Sequence, residues 1–241
     1  MKLHEIAEHY KDEYHVNELI YYAFQQNMES DKALFDHRFH VEQNQLGYGD
    51  RAFHWMWKLL VDEMPQEFSF LEIGVFKGQT LSLVKMLADL SGKHASVAGV
   101  TPLTSAGDKY CPVHPGNNFA ADIENLFKRF TGGSEYTIIK GLSNDPVIIQ
   151  QVADMGDFDI VYIDGCHDYD VVVSDIMQYR ERVKHGGYLV IDDCSNNMKM
   201  PAGLFTGLPD VTRAVEFVLD IDKTRFKHLF ACGHNRIWQR V

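Results

Sequence analysis

The chain has 241 residues, 45% of them hydrophobic, enough for one sizeable core and ordinary for a soluble globular protein. Lys and Arg total 23 against 34 Asp and Glu, a formal net charge of −11, which argues against nucleic acid and other phosphate-rich partners. No apolar run approaches the roughly 20 residues of a bilayer span, and the polar opening lacks a signal-peptide apolar region, so the sequence reads as cytoplasmic and without a membrane partner.

Residues 1–66 read as a helical extension. Apolar positions recur at helical spacing over 19–24 and 53–61; Asp50 stands where it would cap the second helix, and Pro65 stops it. The polar stretch 31–49 is expected to be irregular, either covering a cleft or connecting. The extension is also where a homo-oligomer would form its contacts.

Over residues 67–241 short apolar runs alternate with amphipathic stretches, the pattern of βα units feeding a parallel sheet. Strands are expected over 68–74, 96–101, 136–140, 158–164 and 188–193. Helices are expected over 79–90, 119–130, 146–153, 169–183 and 211–219, the last opened by a cap at Asp210. Asp145 before Pro146 is a cap followed by a first-turn proline, and Gly186-Gly187 is expected to end the fourth of these helices. Residues 226–241 hold two apolar runs split by Cys232-Gly233-His234-Asn235, which reads as a hairpin. The expectation is an α/β fold, a single domain over 1–241, with an antiparallel pair closing a mostly parallel sheet.

Four cysteines, Cys111, Cys166, Cys194 and Cys232, show no paired spacing and read as free thiols. Cys111 and His114 have a zinc-like spacing, but no second pair completes a four-ligand cage.

Open α/β sheets bind ligands beyond the carboxyl ends of their strands. Asp164 ends one expected strand and Asp192-Asp193 the next, so strands about 5 Å apart would bring three carboxylates to one crevice. That crevice would face the turn Glu72-Ile73-Gly74-Val75-Phe76-Lys77-Gly78. Gly74 lies where the strand turns, Gly78 where the helix begins, and Thr80 adds a hydroxyl. A dinucleotide fingerprint reads Gly-x-Gly-x-x-Gly; here the order is Glu-x-Gly-x-x-x-Gly, and Glu72 would repel phosphate, so a cationic cofactor suits the turn better. The same glycines equally serve backbone geometry alone. Thr101 occupies the place of a ribose-binding acid after the second strand, with Asp108 a candidate replacement.

Three carboxylates with open positions suit Mg²⁺, or Mn²⁺ or Ca²⁺, and an open position could receive a substrate hydroxyl. His167, three residues beyond Asp164, could accept the hydroxyl proton. The plainer reading is an acid pair solvating a strand end, with Asp168 or Asp170 capping a helix. His185, His228 and His234 read as ordinary core or surface histidines. Tyr48, Phe76, Tyr169 and Phe205 are either aromatic walls or packing, and the 194–209 loop either a lid or a surface connection.

The stretch Phe70-Leu71-Glu72-Ile73-Gly74 with Gly78, the run Val161-Tyr162-Ile163-Asp164 with its Gly165-Cys166-His167 turn, and Gly186-Gly187-Tyr188-Leu189-Val190-Ile191-Asp192-Asp193 together resemble class I S-adenosylmethionine-dependent methyltransferases. More narrowly they resemble the metal-dependent O-methyltransferases, including the macrolide-sugar and cephalosporin-hydroxylase-like groups. The resemblance spans about residues 68–194. It implies a Rossmann-like, doubly wound sheet of seven mostly parallel strands with a C-terminal antiparallel hairpin. It implies S-adenosyl-L-methionine held by Glu72, Gly74, Phe76, Lys77, Gly78, Thr80, Thr101, Ser143 and Asp164, and a metal on Asp164, Asp192 and Asp193. His167 and Asp164 are then the catalytic residues, acting on a small-molecule hydroxyl. An NAD-dependent oxidoreductase or epimerase shares the architecture but lacks its fingerprint here. A non-catalytic S-adenosylmethionine-binding module would leave the carboxylates without a role.

Overall fold

Alternation along the central strands decides the layering. In the computed structural model, which describes residues 2–111, 119–220 and 223–241, the chain runs α1 (Leu3–His9), α2 (Tyr14–Ser30), α3 (Lys32–Asn44), α4 (Ala52–Glu63), β1 (Glu67–Ile73), α5 (Gln79–Leu90), β2 (His94–Thr101) and α6 (Phe119–Phe130). It continues through β3 (Thr137–Lys140), α7 (Pro146–Asp154), β4 (Phe158–Ile163), α8 (Tyr169–Tyr179), β5 (Val183–Ile191), α9 (Pro209–Val215), β6 (Phe226–Cys232) and β7 (Asn235–Arg240). The seven strands form one sheet in the order β3-β2-β1-β4-β5-β7-β6. The first five run parallel, and β7 lies antiparallel between β5 and β6.

Successive residues of a strand point to opposite faces. Phe70, Ile160, Tyr162, Tyr188 and Val190 therefore join one buried cluster with α1, α2, α4, α5 and α6. Leu71, Ile73, Val161, Ile163, Leu189 and Ile191 join another, with α7, α8 and α9. The N-terminal helices share the first cluster, so the extension covers one sheet face. No helix among the described residues is long and apolar enough to cross a membrane.

Residues 31–49 are not irregular: most of them form α3. Asp31 caps it, its Oδ1 accepting from the backbone N–H groups of Ala33 at 3.0 Å and Leu34 at 3.2 Å. The buried face is Leu34, His37, Arg38 and Val41, a helical period that the His and Arg conceal from an apolar count. Arg38 is tolerated there because Glu42, at 2.7 Å, and the carbonyls of Tyr48 and Gly49 accept its guanidinium protons. Asp31→Ala is expected to lower the unfolding free energy by about 1 kcal/mol, read from the midpoint of a urea titration.

Three other boundaries differ from expectation. Gly186-Gly187 does not end a helix. The helix stops at Tyr179, a 3-10 turn spans Arg180–Arg182, and the two glycines form an irregularity inside β5. There β5 advances from Val183 to Tyr188 while β4 advances only from Phe158 to Ile160; Gly186 has φ +80°, and a Cβ on Gly187 would stand 2.7 Å from the Asp159 carbonyl oxygen. Asp50 does not cap α4, whose N-cap is Arg51 with helical backbone. Asp210 lies in the first turn of α9 after Pro209 and accepts instead from Lys109 Nζ and Tyr110 Oη.

Candidate active site

Register builds the site. Ile73, Ile163 and Ile191 sit side by side on β1, β4 and β5, and the ladder continues one residue further, with Asp164 N–H donating to Ile73 O at 2.8 Å and Asp192 N–H to Ile163 O at 3.0 Å. Gly74, Asp164 and Asp192 therefore end neighbouring strands at one level. Alternation should send Asp192 and Asp193 to opposite faces. Asp193 instead adopts φ +55°, a left-handed conformation that Asp tolerates better than most residues, and its side chain returns to the same crevice. Its carbonyl is held by the Leu208 N–H at 2.8 Å.

A cavity of about 650 Å³ opens here, within the roughly 300–1,000 Å³ of small-molecule sites. Glu72, Gly74, Phe76, Thr80, Thr101, Ser143, Asp164, His167, Asp192 and Asp193 all line it. Lys77 and Gly78 do not. The Lys77 ammonium turns outward to the Gln45 carbonyl at 3.0 Å. Gly78 has φ +92°, and an added Cβ would lie 2.9 Å from Ile123 of α6, so that glycine serves helix packing. Gly74, Phe76 and Gly78 are all left-handed, which gives the turn its tightness.

Glu72 is fully buried, and one carboxylate oxygen has no hydrogen-bond partner. Burial pushes its pKa well above the usual carboxylate range, outweighing a hydrogen bond from the Leu81 backbone. Burial also raises Asp164 strongly, reinforced by the charges of Asp192, Asp193 and Glu72, while Tyr162 Oη donates to its Oδ2 at 3.1 Å. Asp192 is raised by burial and by Asp193, with His234 acting against them. Excess negative charge held out of water is what a bound cation would relieve.

His167 lies between two carboxylates. Its Nδ1 is 2.7 Å from Asp108 Oδ2, and its Nε2 is 3.2 Å from Asp193 Oδ2. Burial lowers its pKa, but the hydrogen bond and charge of Asp193 and the charge of Asp108 prevail and lift it to about 9. Asp108 is thereby committed: Oδ1 accepts from Tyr110 N and Cys111 N, and Oδ2 from the backbone and ring of His167. It also lines the cavity. Thr101 Oγ1 is occupied by the Leu103 N–H at 3.1 Å. Ser143 donates its hydroxyl to buried Asp175 at 2.9 Å, which leaves oxygen lone pairs for the cavity.

Four side chains escaped the sequence reading. His54 and Trp57 of α4 wall the cavity; His54 joins His37 at 3.0 Å, which reaches Ser82 Oγ at 3.1 Å. Burial keeps both imidazoles neutral, His37 falling to about 3. His234, read as ordinary, stands with Nε2 3.3 Å from Asp192 Oδ1 and 3.8 Å from Asp193 Oδ1. Asp50 reaches the far side of that ring, 4.0 Å from Nδ1. Among the described residues, potential ligand atoms gather within 4.8 Å of one another in two groups, Asp192 with Asp193 and His234, and Asp108 with Cys111 and His167. The zinc-like partner His114 lies outside the described residues. Tyr48, Phe76 and Phe205 line the cavity, whereas Tyr169 packs against the second cluster beneath Arg213.

A seven-stranded sheet of this order, with a left-handed glycine turn after β1 and acids closing β4 and β5, defines the class I methyltransferase fold. Residues 71–194 match the model of a family described as a methyltransferase domain, and the chain belongs to that family. An uncharacterized protein of Acanthamoeba polyphaga mimivirus is 30% identical over 159 residues, and the match spans 64% of this chain and 64% of that curated relative's length. The O-methyltransferase from Bacillus cereus in complex with SAH is 15% identical, with a TM-score of 0.59 over 90% of this chain and 96% of that one. The apo structure of CalS11, a TDP-rhamnose 3'-O-methyltransferase of calicheamicin biosynthesis, is 14% identical, with a TM-score of 0.57 over 91% and 92% of the two chains. At these identities the structural likeness is one of fold.

Proposed function

We propose that this protein is an S-adenosylmethionine-dependent O-methyltransferase acting on a hydroxyl of a small molecule, a sugar or glycosylated natural product, with a divalent cation at the Asp164, Asp192 and Asp193 carboxylates. The observation that carries this reading is the convergence of three partly buried acids and His167 on the cavity that Gly74 also lines. SAH in the Bacillus cereus neighbour and TDP-rhamnose methylation by CalS11 favour the same donor and acceptor classes here.

The residues suit both bound groups. Glu72 presents a buried, unpartnered oxygen on the cavity wall, and Asp192 Oδ1 is likewise buried without a hydrogen bond; each is an acceptor suited to positive charge. The donor would supply a methyl group on a cationic sulfur, and the divalent ion would polarise the acceptor hydroxyl. Glu72 and Thr80 would hold the donor end at the turn, and Phe76, Tyr48 and Trp57, which line the same cavity, would exclude water from it. Asp108 fixes the His167 ring through Nδ1, which leaves Nε2 to take the proton of an acceptor hydroxyl. The Nε2 proton shared with Asp193 must leave first, so the His167–Asp193 pair governs when the base is available.

Calorimetry with S-adenosylmethionine, SAH and NAD⁺, each with and without Mg²⁺, tests the assignment. Binding of the first two and not NAD⁺ supports it; NAD⁺ binding alone would point to an oxidoreductase. In metal-free protein, the His167 ring is expected to titrate near pH 9 by NMR. Asp108→Asn should shift that midpoint to lower pH, because one of the two carboxylates retaining the proton is neutralised.

A further inference from the structure

The tip of the C-terminal hairpin carries an imidazole into the acid pair. Because β7 runs antiparallel to β5, pairing Arg236 with Ile191, the β6–β7 turn must lie at the edge where the parallel strands end. The His234 carbonyl accepts from the Cys194 N–H at 3.0 Å, which ties the tip to the residue after Asp193. The ring is clamped edge-on between Phe53 and Phe205, at centroid distances of 4.6 and 5.0 Å.

We propose that His234 is a ligand of the cation site, so that the ion is held by one imidazole nitrogen together with the Asp192 and Asp193 carboxylates, and that Asp50 orients the ring. The inference rests on the cation reading above and changes its chemistry. An all-oxygen site suits Mg²⁺ or Ca²⁺, whereas an imidazole in the ligand set favours transition ions such as Mn²⁺.

Two observations separate this from a simple histidine–carboxylate pair. His167 shows what such a pair looks like in this protein, both ring nitrogens being matched to a carboxylate, Nδ1 2.7 Å from Asp108 and Nε2 3.2 Å from Asp193. The His234 residue is only 4% exposed, yet Nδ1 is buried without a hydrogen bond, and so is Asp192 Oδ1, the oxygen facing Nε2. Nε2 thus stands off two carboxylates at 3.3 and 3.8 Å, with their ligand atoms grouped within 4.8 Å. Behind the ring, Asp50 Oδ2 is the matching orphan, 4.0 Å from Nδ1. Metal-bound histidines commonly donate their second N–H to a carboxylate, which fixes tautomer and orientation; a modest closure of this gap completes that arrangement.

The test uses the full chain, freed of metal and titrated with MnCl₂ alone, with the bound ion examined by electron spin-echo envelope modulation. The expected result is nitrogen coupling from one imidazole in the wild type. It should change isotope pattern in protein carrying ¹⁵N-histidine, vanish in His234→Gln and persist in His167→Gln. Mn²⁺ should bind more tightly than Mg²⁺, and Asp50→Asn should weaken Mn²⁺ binding by about tenfold or more. The isotope experiment needs no variant, so a folding defect in His234→Gln does not decide the matter. Bound Mn²⁺ without nitrogen coupling, or coupling lost in His167→Gln but kept in His234→Gln, overturns the role of His234 and leaves the methyltransferase reading intact. Absence of any Mn²⁺ binding overturns both this inference and the cation part of the proposed function, while donor calorimetry still reports on the rest.

Discussion

His167→Gln is expected to lower kcat by about 10²–10⁴-fold, the usual contribution of a positioned general base, while donor affinity stays unchanged. Glutamine keeps much of the volume and can still donate toward Asp108, but it cannot take up a hydroxyl proton. The measurement is single-turnover methylation of any acceptor that the wild type modifies, alongside donor calorimetry. Equal losses in donor binding and turnover would mean that the ring only shapes the pocket. The same substitution carries a stability signature. The folded-state pKa of His167, about 9, lies above the unfolded value of about 6.5, so the ion pairs with Asp193 and Asp108 stabilise fully below the unfolded value. That contribution is lost as pH rises through about 9. Wild-type stability relative to His167→Gln should therefore decline between neutral and alkaline pH in chemical denaturation of the metal-free protein.

Gly74→Ala is the substitution expected to damage the fold most directly. A Cβ there would lie 1.9 Å from the Asp164 carbonyl oxygen, on a backbone with φ +96°. Overpacking costs about 1–3 kcal/mol, and left-handed strain at such a site adds about 1–3 kcal/mol. Backbone rather than a flexible side chain is in the way, so relief requires β1 and β4 to separate at their ends, where donor and cation would bind. Gly132→Ala is the control: φ is +65°, and nothing lies within 4 Å of the added atom, so it bears only the conformational strain. Urea unfolding should show the Gly74 variant destabilised well beyond the Gly132 variant, with donor binding lost. Equal destabilisation of the two would show that the turn relaxes freely.

The sheet was legible because its signals are local and redundant. The apolar runs of β1, β4 and β5 are bounded by turns, and the expected limits of the helices at 79–90 and 119–130 coincide with the observed ones. Convergence of Asp164 and Asp192 followed from parallel strands of similar register. The direction of Asp193 did not follow, since alternation alone would have turned it away; a left-handed φ, invisible in an aspartate codon, brings it back. Helix α3 was missed because its buried face includes His37 and Arg38, residues paired within the fold rather than apolar.

His234 and Asp50 were hidden for a topological reason. Each stands in what reads as punctuation, a hairpin tip and a helix start, and only the antiparallel placement of β7 shows that the tip lies over the acids. The sequence shows the hairpin but not which of its two strands pairs with β5, and that choice decides which edge of the sheet the tip occupies. His54 and Trp57 sat in a stretch correctly read as helix, but no sequence period says which sheet face that helix covers.

In the proposed function a methyl donor lies across the Gly74 turn with its sulfur directed at the acids. A crystal structure of the protein with SAH tests it most directly. The amino-acid end of SAH is expected against Glu72 and Thr80, with its sulfur facing the space between His167 and Asp193. SAH bound on another edge of the sheet, or with its sulfur turned away from those two residues, would contradict it.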